Sequence, residues 1–175
     1  GYCFQTTSLL YEALHLLGFS VERRLAHVHN CAKGKMNLSN SSSWVNDHLV
    51  LIVCIDNKHY LVDTGFANNS LRVPLLLNEG EQTPSINTYR LSKHSEQWVV
   101  EMLIKDNQYL VLYSFHSHSC NDSELKQAHT NLITSKQNIT IRDDIQKIAC
   151  VDSKNRQSIV RFNDSNLTLF KRFHN

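Results

Sequence analysis

The feature that most constrains the fold of this 175-residue chain is its apolar run from Leu49 to Ile55. Leucine, valine and isoleucine dominate the run, and the β-branched valine and isoleucine favour strands. It is far too short to cross a bilayer as a helix, which needs about 20 residues. A turn over residues 56–58 and a second apolar stretch, His59 to Phe66, follow at once. The sequence therefore predicts a β-hairpin that begins at His48.

Helical and extended patterns flank this hairpin. They predict a helix over 6–17, with N-cap candidates Thr6, Thr7 and Ser8 and an apolar stripe of Leu9, Leu10, Ala13, Leu14 and Leu17. Further predicted elements are a strand over 20–29, a second hairpin over 98–115, a short helix over 122–133, and strands over 145–151, 158–162 and 167–173. Residues 30–46 and 67–88 are predicted to be loops. One helix followed by mostly antiparallel strands predicts a small barrel or sandwich.

Charge and cysteine content exclude several classes of protein. The net charge of +2 is too small for a polybasic surface, so neither nucleic acid nor membrane is an expected partner. The five cysteines are widely spaced and contain no CxxC pair. An odd number of such cysteines predicts reduced thiols, and therefore a cytoplasmic protein rather than a disulfide framework.

Three residues combine into a candidate nucleophilic site. Cys3 precedes the first predicted helix, whose dipole and backbone N–H groups would favour a thiolate. His48 opens the central hairpin, where it can serve as a base, and Asp63 interrupts the returning strand. A carboxylate in an apolar strand is costly unless it is paired. The order Cys, His, Asp fits a nucleophile, its base and an orienting carboxylate.

Each of these residues also has an interpretation without catalysis. A lone cysteine is commonly an inert core residue, His48 could be a strand-end histidine, and Asp63 could cap a turn. A hairpin symmetric about Asn57 would pair Asp63 with Leu51 and turn it away from the face of His48. A register shifted by half a step would pair Asp63 with Ile52 on the same face, and a bulge or strong curvature would then have to bring the two together.

Several motifs are similar to those of one enzyme family. They are Gly1-Tyr2-Cys3-Phe4-Gln5, Leu17-Gly18-Phe19, Ala26-His27-Val28-His29-Asn30, His48-Leu49-Val50-Leu51 and Tyr60-Leu61-Val62-Asp63-Thr64-Gly65-Phe66. With the fifteen-residue step from His48 to Asp63, they resemble the arylamine N-acetyltransferases, whose Arg-Gly-Gly-x-Cys-x-Glu/Gln signature would end at Gln5. The resemblance is strong over residues 1–66 and looser, but colinear, to about Phe170.

The resemblance implies an α+β fold of the cysteine-protease/transglutaminase-like type. A catalytic-cysteine helix would be followed by an antiparallel β-barrel and part of an α/β lid. The implied domains are residues 1–20, the end of a helical domain; 21–120, the barrel; and 121–175, a partial lid. Family members begin with a helical bundle and continue past this C-terminus, so the chain is expected to be a fragment.

The resemblance also implies a reaction. A Cys3 thiolate, held by His48 and Asp63, would take the acetyl group of acetyl-CoA and pass it to the nitrogen of an arylamine or arylhydrazine. Phe66 and Val28 would line the pocket for the aromatic acceptor. Coenzyme A would be a cosubstrate, no metal would be needed, and the acceptors would include xenobiotic amines.

Some observations keep other interpretations open. The family usually has Asn in place of Thr7 and Gly in place of Ala67, which affects the support of the triad and the rim of the pocket. The same triad order occurs in transglutaminase- and papain-like hydrolases, and a catalytically silent binding domain is a further alternative. The run His116-Ser117-His118-Ser119-Cys120 places three metal-ligand types at alternate positions, without an evident fourth ligand.

Overall fold

The computed structural model describes residues 2–29, 45–66, 71–105, 107–134, 146–151, 157–163 and 166–172. Over these residues the chain forms two helices and eleven strands. In chain order they are α1 (Cys3–Leu16), β1 (Ser20–Val28), β2 (His48–Ile55), β3 (Lys58–Val62), β4 (Leu75–Leu76), β5 (Gly80–Gln82), β6 (Tyr89–His94), β7 (Gln97–Lys105), β8 (Gln108–His116), α2 (Asp122–Thr134), β9 (Gln146–Val151), β10 (Gln157–Asn163) and β11 (Asn166–Arg172).

Eight of the strands form one antiparallel sheet in the order β4-β3-β2-β1-β8-β7-β6-β5. The sheet curls into a nearly closed barrel. β9, β10 and β11 form a separate antiparallel sheet of three strands. This architecture confirms the predicted α+β class, in which a helix carrying the cysteine precedes an antiparallel barrel. The division into three domains stays a prediction.

Strand β2 is apolar throughout because both of its faces are covered. Val50 and Ile52 point into the barrel, where they join a core that includes Leu61 and Phe115. Leu49 points the other way, into a second cluster between the barrel and the two helices. A strand buried on both sides loses the alternation of apolar and polar residues, which explains the unbroken run in the sequence. This strand therefore lies between barrel and helices.

Helix α1 begins three residues earlier than the sequence predicts. Tyr2, not Thr6, Thr7 or Ser8, is the N-cap, and its backbone N–H donates to Oε1 of Gln5 at 3.3 Å. Gln5 thus serves the helix start from the third helical position, as in a capping box. The prediction failed because tyrosine is not a favoured N-cap residue. Cys3 consequently occupies the first helical position instead of preceding the helix.

The hairpin of β2 and β3 has a register that neither sequence-based alternative contained. Leu51 pairs with Val62, and the turn consists of Asp56 and Asn57 alone, both with positive φ. Asparagine and aspartate tolerate this left-handed backbone, which two-residue hairpin turns require. Strand β3 ends at Val62. Asp63 therefore follows the strand rather than interrupting it, and in this register it falls opposite Val50, on the face that His48 shares.

The other predicted elements have mixed outcomes. The second hairpin, the short helix and the three C-terminal strands are confirmed to within a few residues as β7, β8, α2, β9, β10 and β11. The loop predicted over 67–88 contains two short strands, β4 and β5, and β6 was not predicted. Strands of two and three residues are too short for a hydrophobic period to develop. Most of the predicted loop over 30–46 lies outside the described residues.

The predicted apolar stripe of α1 is largely open to solvent in the structure. Leu9 and Leu17 are each 74% exposed, whereas the buried residues of the helix are Phe4 and Thr7. The helix therefore contacts the barrel through the face that carries Cys3. Among the described residues, no helix is long and apolar enough to span a membrane.

Candidate active site

A buried histidine–aspartate pair forms the centre of the site. Nε2 of His48, at the start of β2, lies 2.9 Å from Oδ2 of Asp63, just after β3. Both residues are 1% exposed. A charged pair at such depth is tolerated when its remaining polar atoms are also bonded. The hairpin thus brings together the two residues that the sequence proposed as base and orienting carboxylate.

The second oxygen of the Asp63 carboxylate also has a partner. Oδ1 accepts a hydrogen bond of 2.8 Å from the backbone N–H of Gly65. Hydrogen bonds to His48 and Gly65 therefore hold both oxygens in place.

The ring of the fully buried Tyr113 lies 5.1 Å from the His48 ring. Its hydroxyl feels the Asp63 charge but makes no hydrogen bond of ordinary geometry among the described residues. Burial and this charge raise the pKa of Tyr113, so it stays a neutral phenol.

Cys3 lies at the first position of α1, beside His48. Its thiol points to the backbone carbonyl of Asp47, with Sγ 3.6 Å from the oxygen. Because Nε2 of His48 is occupied by Asp63, Nδ1 is the nitrogen that is left for the thiol. The first turn of a helix also presents unpaired N–H groups and a positive dipole end, which favour a thiolate. The structure thus places all three predicted residues in one cluster.

The charge state of His48 follows from this surrounding. Burial lowers its pKa, but the Asp63 charge and hydrogen bond raise it more strongly, and the neighbouring Cys3 thiol adds to the effect, so that the pKa is about 9. An imidazole with such a pKa is protonated at neutral pH. The arrangement therefore favours an imidazolium between a carboxylate and a thiolate.

The two residues predicted to line a substrate pocket lie near the triad. The Phe66 ring contacts the His48 ring edge-on, at 5.3 Å between centroids, and the Tyr113 ring at 5.1 Å. Val28 is half-buried at the end of β1, and its N–H donates to Oδ1 of Asp47 at 2.8 Å. Both residues are thus next to the segment that carries His48, and their role toward a substrate stays a prediction.

The structure adds a residue that the sequence did not single out for chemistry. The backbone of Gly65 passes so close to α1 that a Cβ on it would lie 2.6 Å from Cα of Cys3 and 3.1 Å from Oγ1 of Thr7. Only glycine fits such an approach. The proximity of Gly65 to Asp63 in the sequence was the available signal, but nothing local indicated the contact with Cys3, which lies far earlier in the chain.

The side chains of His116, His118 and Cys120 are not gathered into one group in the structure. The two histidine rings lie 5.0 Å apart, yet no three His, Cys, Asp or Glu side chains in the described part of the chain are grouped to hold an ion. Instead these residues line a cavity of about 680 Å³ between α2 and the outer face of the barrel, together with Asn46 and Glu124. None of the triad residues lines this cavity.

Sequence comparison assigns the chain to a family. The model of an N-acetyltransferase family matches residues 1–165, and the curated relatives that the chain resembles are arylamine N-acetyltransferases. The chain belongs to the arylamine N-acetyltransferase family. It is 28% identical to arylamine N-acetyltransferase 2 of Mesocricetus auratus over 153 residues, which is 77% of this chain and 51% of that protein. It is 30% identical to arylamine N-acetyltransferase 1 of Homo sapiens, over 74% of this chain and 43% of that protein.

A solved structure supports the fold of this arylamine N-acetyltransferase family member independently. The arylamine N-acetyltransferase of Mycobacterium marinum in complex with CoA superposes with a TM-score of 0.76 at 20% identity, covering 99% of this chain and 64% of that one. At 20% identity, this similarity supports the fold alone. The chain spans about half the length of the curated relatives it matches.

Proposed function

We propose that this protein transfers an acetyl group from acetyl-CoA to the nitrogen of an arylamine or arylhydrazine through an acetyl-cysteine intermediate. The observation that carries the proposal is the buried pair of His48 and Asp63 beside Cys3, at the start of a helix, in a member of the arylamine N-acetyltransferase family. The name of the M. marinum structure, which contains CoA, supports the choice of acyl donor.

The first half-reaction acetylates the enzyme. The Cys3 thiolate attacks the carbonyl carbon of the acetyl thioester, and a tetrahedral oxyanion forms. Backbone N–H groups, including that of Cys3, would stabilise this oxyanion. The intermediate collapses with cleavage of the bond to the sulfur of coenzyme A, which takes the proton of the His48 imidazolium and leaves as the free thiol. Acetyl-cysteine and a neutral imidazole remain.

The second half-reaction uses the same imidazole as a base. The amine nitrogen attacks the acetyl-cysteine, His48 accepts a proton from the nitrogen, and the amide leaves as the Cys3 thiolate is restored. Asp63 stabilises the imidazolium in both halves through its contact with Nε2. Because coenzyme A leaves before the amine reacts with the acetyl-enzyme, the kinetics would be ping-pong.

The acceptor would bind beside the triad. Phe66 touches the His48 ring and offers an aromatic surface, and Val28 lies at the end of the neighbouring strand β1. Apolar, stackable walls suit an aromatic ring, so xenobiotic arylamines fit this site. In the same proposal, residues 1–20 are the end of a helical domain, residues 21–120 form the barrel domain and residues 121–175 form a partial lid domain. The enzyme would work in the cytoplasm, and it would need neither a metal nor a nucleic acid.

The decisive experiment is to mix the protein with acetyl-CoA in the absence of an acceptor and to weigh it. The expected result is a gain of one acetyl group on the peptide that contains Cys3, which disappears on addition of an arylamine with release of the acetylated amine. Cys3→Ser serves as the control and should remain unmodified. Cleavage of casein or an amide ester without acetyl loading would identify a hydrolase, and binding without turnover a silent domain.

A further inference from the structure

One histidine of α2 contacts both residues that flank the nucleophile. The Tyr2 hydroxyl forms a hydrogen bond with Nε2 of His129. The Phe4 ring stacks on the same imidazole, with 5.5 Å between centroids and 24° between the planes. Cys3 is thus bracketed by two side chains that share one partner, and that partner lies more than 120 residues away in the sequence.

The surroundings of His129 make this contact a fixed one. Phe4 is 4% exposed and packs with Ala128 and Leu132 of α2, and Leu125 lies against the same cluster. His129 is half-buried at the edge of this cluster. A side chain that is held by packing loses little entropy when it forms a hydrogen bond, so the bond with Tyr2 can define a position.

The position of Tyr2 also fixes the first turn of α1, which carries Cys3. The carbonyl of Tyr2 accepts the N–H groups of Gln5 and Thr6 at 2.9 and 3.0 Å, which closes the first turn of α1. Within that turn, the thiol of Cys3 makes a long contact, 3.6 Å, with the carbonyl of Asp47. Helix ends fray when nothing holds them. The nucleophile therefore depends on its neighbours for its place.

We infer that His129 is a positioning residue that clamps Tyr2 and Phe4 to α2 and thereby keeps the Cys3 sulfur beside His48. The role needs no contact between His129 and the substrate. It deepens the proposed function, because it makes α2 part of the machinery that sets up the Cys3–His48 pair.

The test measures the rate at which iodoacetamide alkylates Cys3 across a pH series, by peptide mapping of the full chain. Tyr2→Phe removes the hydroxyl alone, and His129→Phe keeps an aromatic ring for Phe4 but removes the nitrogen. Each should lower the rate at pH 7 by about 3- to 10-fold. The rate should also rise more steeply with pH than in the parent, because a thiol displaced from the His48 imidazolium reacts only after it has lost its proton without that partner.

The double variant and a conservative replacement separate positioning from general stability. Tyr2→Phe combined with His129→Phe should be no slower than either single variant, because both remove the same bond. His129→Gln can place an amide near the position of Nε2 and should recover part of the rate. Should His129→Phe fail to fold, Tyr2→Phe decides the question by itself.

A matched control breaks another anchor of the same helix. Asp122→Asn removes the ion pair with Arg23, 2.5 Å long, which holds the start of α2 to β1 without involving Tyr2 or His129. This variant should alkylate like the parent. Unchanged rates in Tyr2→Phe and His129→Phe, or an equal loss in Asp122→Asn, would overturn the inference. Because alkylation needs no acetyl-CoA, its result stands even if acetyl transfer itself is not observed.

Discussion

The backbone of Gly65 and the side chain of Cys3 are in direct contact, since a Cβ at Gly65 would lie 2.7 Å from Cβ of Cys3. The N–H of the same glycine donates to Asp63. Gly65 therefore sets the spacing between Cys3, the proposed nucleophile, and Asp63, the proposed orienting carboxylate. A larger residue has nowhere to go, because its first contacts are backbone and Cβ atoms of α1.

Gly65→Ala should accordingly displace Cys3 and lower acetyl transfer by at least about 100-fold, the scale of a misplacement of about 1 Å. Overpacking should also destabilise the fold by about 1–3 kcal/mol. Turnover and thermal unfolding measure both effects. The neighbouring, exposed Thr64→Ala is the control and should behave like the parent. A Gly65→Ala protein with normal turnover would contradict the close contact.

Asp63→Asn should leave the shape of the side chain but remove the counter-charge of the His48 imidazolium. We expect acetyl transfer to fall by at least about 100-fold, as for a positioned acid–base partner. The measurement is the rate of arylamine acetylation at saturating acetyl-CoA. Asp56→Asn, in the exposed turn of the same hairpin, keeps the backbone preference and should retain full activity. Near-normal turnover in Asp63→Asn would remove Asp63 from the mechanism.

Cys3 should be the thiol that iodoacetamide labels fastest near neutral pH. The thiolate is the nucleophile, and an imidazolium beside a thiol at a helix start favours it. His48→Gln should therefore slow the labelling of Cys3, by up to about 30-fold. Cys120 provides the contrast within the same protein, because burial raises the pKa of its thiol. Faster labelling of any other cysteine in the folded parent would argue against Cys3 as nucleophile.

The stability of the protein should depend on pH through His48. Its pKa is raised from 6.5 to about 9 by its Asp63 partner against the effect of burial. A raised histidine pKa stabilises the fold fully below about pH 6.5, and this contribution is lost as pH rises through about 9. The difference in Tm between the parent and Asp63→Asn should thus be largest at pH 5–6.5 and shrink toward pH 9. A difference that grows with pH would show that Asp63 does not stabilise the protonated form of His48.

Thr7 offers a stabilising substitution. Its hydroxyl is fully buried and has no hydrogen-bond partner among the described residues. Removal of an unsatisfied buried hydroxyl should gain about 1 kcal/mol, so Thr7→Val should raise Tm by about 2–4 °C. Thr7→Ser keeps the hydroxyl but leaves a small cavity, and should lower Tm instead. If Thr7→Val melts earlier than the parent, the hydroxyl has a partner after all.

The sequence by itself determined the class of the fold and the identity of the candidate triad. The run after His48 predicted a strand that opens a hairpin, and the motifs around Cys3, His48 and Asp63 carried the family resemblance, which the match over residues 1–165 confirms. These signals are local, because strand period, turn residues and short motifs are written within a few positions of each other.

Only the tertiary structure decided how those residues meet. The register that puts Asp63 on the face of His48 depends on a two-residue turn, and a change of one residue would have sent the side chain to the other face. The contact of Gly65 with Cys3 and the clamp of His129 on Tyr2 join elements that are far apart in the chain. Such contacts arise from the packing of helices on the barrel. No local sequence pattern encodes the distance between two surfaces that come together only when the chain folds.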